Sequence, residues 1–211
     1  MRMFSRSTFL RAVFGFLFAF TVNASQGHAQ SEDDAKKFIG TLADRAITTV
    51  ADRQIPQIER DERFRKLFVS SFDIPEIGRF VLSRYWRTTS PDQQQEFLSL
   101  FEDITVLTWA KRFQDYNGES LETVGASKDG DHGWIVDSHI LRNQGPMIPV
   151  QWRVRARDDG SLRVVDIIVE GVSMAITLRS DYASAMQANG ARIDGLLSTM
   201  RTKLDQLKAS S

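Results

Sequence analysis

The chain has 211 residues, with 27 basic and 27 acidic side chains, three histidines and no cysteine. There is no basic excess to hold a phosphate backbone, so nucleic acid is not an expected partner. Without thiols the fold has no disulfides to lean on, but this length can bury roughly 70% of the unfolded surface, enough for one substantial core.

The first 29 residues read as a secretory signal peptide. "MRMFSRSTFLR" carries Arg2, Arg6 and Arg11 without an acid, "AVFGFLFAFTV" is an apolar run, and "GHA" supplies small residues before a cut after Ala29. The run is shorter than the ~20 residues of a membrane-spanning helix. The expected product is residues 30–211, one soluble extracytoplasmic domain in which acids outnumber bases by three.

Helix signals fill the first half. Ser31 with Asp34 opens a segment in which Phe38, Leu42, Ala46 and Val50 repeat at helical spacing. Asp73 and Glu76 form a capping pair around Pro75, after which Ile77, Val81 and Tyr85 fall on one face with Phe80 beside them. Ser90, Pro91 and Gln93 read as N-cap, first-turn proline and capping-box partner. The helix behind them places Phe97, Phe101, Ile104, Leu107 and Phe113 along a wide apolar stripe that ends at Asn117–Gly118.

The period then changes. "ESLETVGA", "HGWIVDSHILR", "MIPVQWRVRA" and "SLRVVDIIVE" are strand-length runs separated by short turns at "SKDGD", "NQGP" and "RDDG", which predicts an antiparallel meander of four strands. In the third strand Ile148, Val150, Trp152 and Val154 share one face and Gln151, Arg153 and Arg155 the other, so one face is buried and the other partly wet. Past Gly171, Val172, Met174, Ile176 and Leu178 stand at every second position. That reads as a strand continuing through a bulge or kink at the glycine. A helical tail is predicted from Ser180, broken at Asn189–Gly190 and resumed to the end. The class is α+β: N-terminal helices, a four-stranded twisted antiparallel sheet and C-terminal helices.

Reactive groups are sparse. His132 and His139 lie seven apart in one predicted strand, on opposite faces, so they cannot jointly grip a metal. Asp158 and Asp159 before Gly160 read as turn chemistry rather than a catalytic dyad. No phosphate-binding loop, dinucleotide fingerprint or nucleophile elbow is present, and no catalytic residue, metal or cofactor is assigned. "RYWR" sets Arg84 and Arg87 around two aromatics, as a lipid head-group contact or snorkelling arginines beside a core edge would.

"VLSRYWRTTSPDQQQEFLSLF", then "VQWRV", then "VDIIVEGVSMAIT" resembles the MlaC family of periplasmic lipid-binding proteins, known also as toluene-tolerance or ABC-transporter auxiliary proteins. The resemblance runs from about Phe38 to about Leu204 and is sharpest at "EGVSM"; the Gln144–Pro149 connection departs from it. The chain is also similar to the hopanoid-associated HpnM branch. The resemblance implies helices folded over a sheet around a deep apolar pocket that takes phospholipid acyl chains. It implies a non-enzymatic carrier working between an outer-membrane lipoprotein complex and an inner-membrane ABC transporter with an MCE-domain subunit. On it, the expected lining is Val81, Tyr85, Phe101, Ile104, Trp109, Val136, Ile148, Val150, Trp152, Ile167, Val169, Val172 and Met174, with Val172 foremost. An enzyme acting on an apolar substrate in the same cavity, using His132, His139 or a buried acid, and a periplasmic chaperone with exposed apolar grooves remain the rival readings.

Overall fold

The computed structural model describes residues 30–51, 55–112 and 116–209; the signal segment, Phe113 and the side chain of Val50 lie outside the described residues. Helix α1 (Glu32–Ala51) starts at a reciprocal cap. Ser31 Oγ accepts the Asp34 N–H at 3.1 Å, and the Asp34 carboxylate accepts the Ser31 N–H at 3.0 Å. Helix α2 (Gln57–Ser71) is absent from the sequence reading. Its buried Phe64, Leu67, Phe68 and Ser71 nonetheless follow a helical i, i+3, i+4, i+7 pattern.

Asp73 caps α3 (Ile74–Leu82) by accepting the Glu76 N–H at 3.1 Å, and its buried carboxylate pairs with Arg157 at 3.1 Å. Ser83 takes φ 55°, which ends α3 sooner than the Ile77–Val81–Tyr85 spacing predicts, and a 3-10 turn (Ser83–Thr88) carries Tyr85 and Trp86. Helix α4 (Pro91–Arg112) opens on the expected box, with Ser90 Oγ accepting the Gln93 N–H at 3.3 Å and Gln93 Oε1 accepting the Ser90 N–H at 3.1 Å.

Strands β1 (Ser120–Lys128), β2 (Gly133–Leu141), β3 (Ile148–Ala156) and β4 (Leu162–Val169) form the expected antiparallel meander in chain order, and a two-residue β5 (Val172–Ser173) makes a fifth. The pairing Val136↔Trp152↔Ile167 and Ser138↔Val150↔Val169 puts these residues on one face, as strand alternation predicts. The register shifts at Arg153/Val154 opposite β4, where Val165 is the extra residue.

The stretch after β4 differs from the sequence reading. Glu170 and Gly171 have φ of 49° and 82°, both positive, and Val169 pairs with Val172, so the glycine closes a two-residue hairpin turn rather than a bulge. Helix α5 (Met174–Ala188) then begins at once, six residues before the predicted Ser180, with Ser173 as its N-cap. Helix α6 (Ile193–Ala209) follows the expected break at Asn189–Gly190.

Two cores result. Ala35, Ile39 and Leu42 of α1 cover Trp134, Val136, Val154 and Val164 of the sheet, while α2 to α6 enclose a helical core around Phe97, Phe101, Met186 and Leu197. Phe72 packs against both. It also bridges to Val164, and the next residue's N–H donates to Val164 O at 2.9 Å, which covers the β4 edge left free by the short β5.

Candidate functional site

A cavity of about 50 Å³ lies at the seam between the two cores. Each wall follows from local periodicity. Helix α4 contributes Phe101, Thr105 and Trp109, one stripe at i, i+4, i+8, and α5 contributes Met174, Ala175 and Leu178. The end of α2 supplies Phe68 and Phe72, whose rings stack with centroids 4.2 Å apart, and α3 supplies Ile74 and Ile77. Val165, Asp166 and Ile167 of β4 close the floor, where the bulge re-aims consecutive residues.

Besides the Trp109 indole, the polar side chains in this lining are Thr105 and Asp166, and both are engaged. Thr105 Oγ1 donates to Phe101 O at 2.6 Å. Asp166, 5% exposed, accepts the Ala175 N–H at 2.9 Å, the Ser173 hydroxyl at 2.6 Å and Arg153 Nη1 at 3.4 Å. Its charge thus meets the N-terminus of α5, where a carboxylate is favourable, and fastens that helix to the sheet. What the cavity offers a guest is hydrocarbon and aromatic surface.

Of the residues expected to line a pocket, Phe101, Trp109, Ile167 and Met174 lie on this cavity. Val81 is buried in the helical core, where Ile104 and Tyr85 pack against it, and the Tyr85 hydroxyl accepts Gln187 Nε2 at 2.6 Å. Val136 and Val150 are buried on the inner sheet face, with Ile148, Val169 and Trp152 half-buried on the same face. The Trp152 indole donates to Ser138 Oγ at 2.9 Å. Val172 is 54% exposed beside the β4–β5 turn and does not line this cavity, because the helix begins two residues later and turns Met174 and Leu178 inward instead. Phe68, Phe72, Ile74, Ile77, Thr105, Val165, Asp166, Ala175 and Leu178 were not anticipated as lining. The i, i+4 pairs Phe68–Phe72 and Met174–Leu178 were the available signals.

The histidines stand apart from the cavity. His132 lies in the β1–β2 turn, not in a strand, and His139 is in β2 on the face opposite Val136. Among the described residues no group of three His, Cys, Asp or Glu side chains has metal-binding geometry, and no helix is long and apolar enough to cross a membrane. Asp159 does turn chemistry, accepting the Ser161 N–H at 2.8 Å and hydroxyl at 2.6 Å.

The family model described as MlaC protein matches residues 40–202. The chain belongs to the MlaC family. Two curated relatives are similar. The toluene tolerance protein ttg2D of Pseudomonas putida is 27% identical over 58% of this chain and 57% of its own length. The intermembrane phospholipid transport system binding protein MlaC of Haemophilus influenzae is 22% identical over 78% of this chain and 79% of its own. Among solved structures, the phospholipid-binding protein of Ralstonia solanacearum in complex with a phospholipid superposes with a TM-score of 0.72 at 20% identity. That match covers 82% of this chain and 98% of the other, so this MlaC-family chain has the same fold.

Proposed function

We propose that this protein is a periplasmic phospholipid carrier that takes acyl chains between its helical layer and its sheet. The observation that carries the reading is the seam cavity, whose walls come from α2 to α5 and β4 and whose Thr105 and Asp166 side chains are bonded internally. Such a lining, apolar apart from the Trp109 indole N–H and two bonded side chains, favours apolar guests.

At about 50 Å³ the cavity has room for a few waters, well short of the roughly 300–1,000 Å³ of ordinary ligand pockets. Loading therefore widens the seam. Phe72 and Ile167 sit where the helical core would separate from the sheet, and widening there exposes the inner sheet face carrying Val150, Trp152 and Val169. Val172, at the rim beside Met174, then meets the part of the lipid that leaves the cavity. Two chains of about fifteen methylenes each, at ~0.8 kcal/mol per methylene, would cost on the order of 20 kcal/mol if left in water, so a carrier must cover them during transfer.

The carrier receives and releases cargo by handover. An inner-membrane ABC transporter with an MCE-domain subunit and an outer-membrane lipoprotein complex are the partners the family membership supports. The reading is tested by exporting the protein, purifying it gently and identifying extractable lipid by mass spectrometry. A stoichiometric diacyl phospholipid is expected. A hopanoid would change the cargo, and a chain still empty after incubation with phospholipid vesicles would contradict the reading.

A further inference from the structure

Helices α3 and α5 run side by side in the same direction. Ile74 and Ile77 meet Met174 and Leu178 around the cavity, Arg179 stacks over the Phe80 ring at 5.2 Å, and Gln187 bonds Tyr85 just beyond the end of α3. The outer side of this pair is unusual in composition. Phe80 and Ile176 are 40% and 61% exposed, and three exposed guanidiniums lie over aromatic rings: Arg179 over Phe80, Arg79 over Trp86 at 5.4 Å and Arg84 over Tyr85 at 5.0 Å.

Among the described residues, none of these three arginines forms an ion pair, whereas Arg63, Arg65, Arg153, Arg155, Arg157 and Arg201 all do. The acids on the same two helices are Glu76, which senses Asp73, Arg155 and Arg157, and Asp181, which lies beside Tyr182. Three guanidiniums thus stand against two carboxylates, and the ridge keeps a net positive charge next to solvent-exposed apolar groups. A surface that offers anions above and hydrocarbon just below complements both, as amphipathic interfacial segments rich in arginine and aromatics show.

We propose that the outer face of the α3–α5 pair docks this protein directly on an anionic phospholipid bilayer. In that pose the guanidiniums meet head-group phosphates and Phe80 and Ile176 enter the interfacial layer. Because the inner faces of the same helices wall the cavity, docking brings the seam to the membrane without a protein intermediary. The inference concerns the outer face alone and holds whether or not the cavity carries lipid.

The test is co-flotation of the full chain with vesicles of phosphatidylcholine alone or mixed with phosphatidylglycerol. Binding is expected on the mixed vesicles and not on phosphatidylcholine, and it should weaken as salt shortens the screening length from ~30 Å at 0.01 M to ~10 Å at 0.1 M. Each basic residue at an anionic surface is worth about fivefold, so the triple variant Arg79→Gln, Arg84→Gln, Arg179→Gln should lose on the order of a hundredfold. The matching lysine variant should keep most of the binding. Equal binding to both vesicle types, equal binding by the glutamine variant, or no binding to the mixed vesicles would overturn the proposal. The last outcome would point to an acidic protein partner instead.

Discussion

Asp166 makes the cavity compatible with a buried charge. Its carboxylate satisfies the Ala175 N–H and the Ser173 hydroxyl at the start of α5, and it holds Arg153 from the sheet. Asp166→Ala leaves those donors without an acceptor in a buried setting, where each such loss is costly. The expected loss of stability is about 2–3 kcal/mol, read as a lower urea midpoint at unchanged slope. An unchanged midpoint would mean that the α5 terminus is held by other contacts. Leu178 probes the site rather than the scaffold. Leu178→Glu places a charge on an apolar wall with no cation offered to it, and a folded variant should fail to retain phospholipid in native mass spectra. A folded variant that retains normal lipid would remove Leu178 from the site.

At the scale of elements, the β1–β2 turn is tied to β3 through Asp129, which pairs with Arg155 at 2.8 Å and Arg153 at 3.0 Å. The Arg155 hydrogen bond, and then the charges of both arginines, hold the Asp129 carboxyl below its ordinary value of 3.8 against a small burial penalty. Folding thus favours the ionised form. The stability this provides is complete above about pH 4 and is lost as the pH falls through the lowered folded value. Thermal midpoints of the wild type and Asp129→Asn should differ most near neutrality and converge below pH 4. Parallel curves would show that Asp129 contributes nothing by its charge.

The elements also show which parts of the fold can be read from sequence. Caps at Ser31, Asp73 and Ser90 are local signals, and the helices they start are where the residues predict. Strand alternation in β3 is also legible, because one face carries the buried Val150 and Val154 and the half-buried Ile148 and Trp152. Helix α2 gives a weak local signal because its first half, Glu59 to Arg63, is charged throughout and its buried Phe64, Leu67 and Phe68 all fall behind it. The α5 start was misread because Val172, Met174, Ile176 and Leu178 fit both a period of two and, through Met174 and Leu178, a helical i, i+4 pair. The hairpin turn at Glu170–Gly171 and the Ser173 cap decide between them, and both depend on tertiary contacts with β4.

For the whole molecule, the cavity is a property of assembly. Its walls come from five elements spread over more than half the chain, so no single stretch of sequence announces it. Phe101, Trp109, Ile167 and Met174 could be foreseen as apolar, but their convergence at one seam follows from the packing of two cores around Phe72. The loading proposed above requires this seam to widen. The helical core and the sheet core are each internally packed, and they meet at apolar contacts around Phe72 and at polar ties through Asp73 and Asp166.

The central claim is that this seam takes acyl chains, and a phospholipid bearing a photoreactive group near the end of one chain tests it most directly. After loading, irradiation and peptide mapping, the account predicts labels confined to Phe68–Ile77, Phe101–Trp109, Val150–Trp152 and Val165–Leu178. Labels on exposed apolar residues away from the seam, such as Ile58 or Val124, with the seam peptides unmodified, would contradict it.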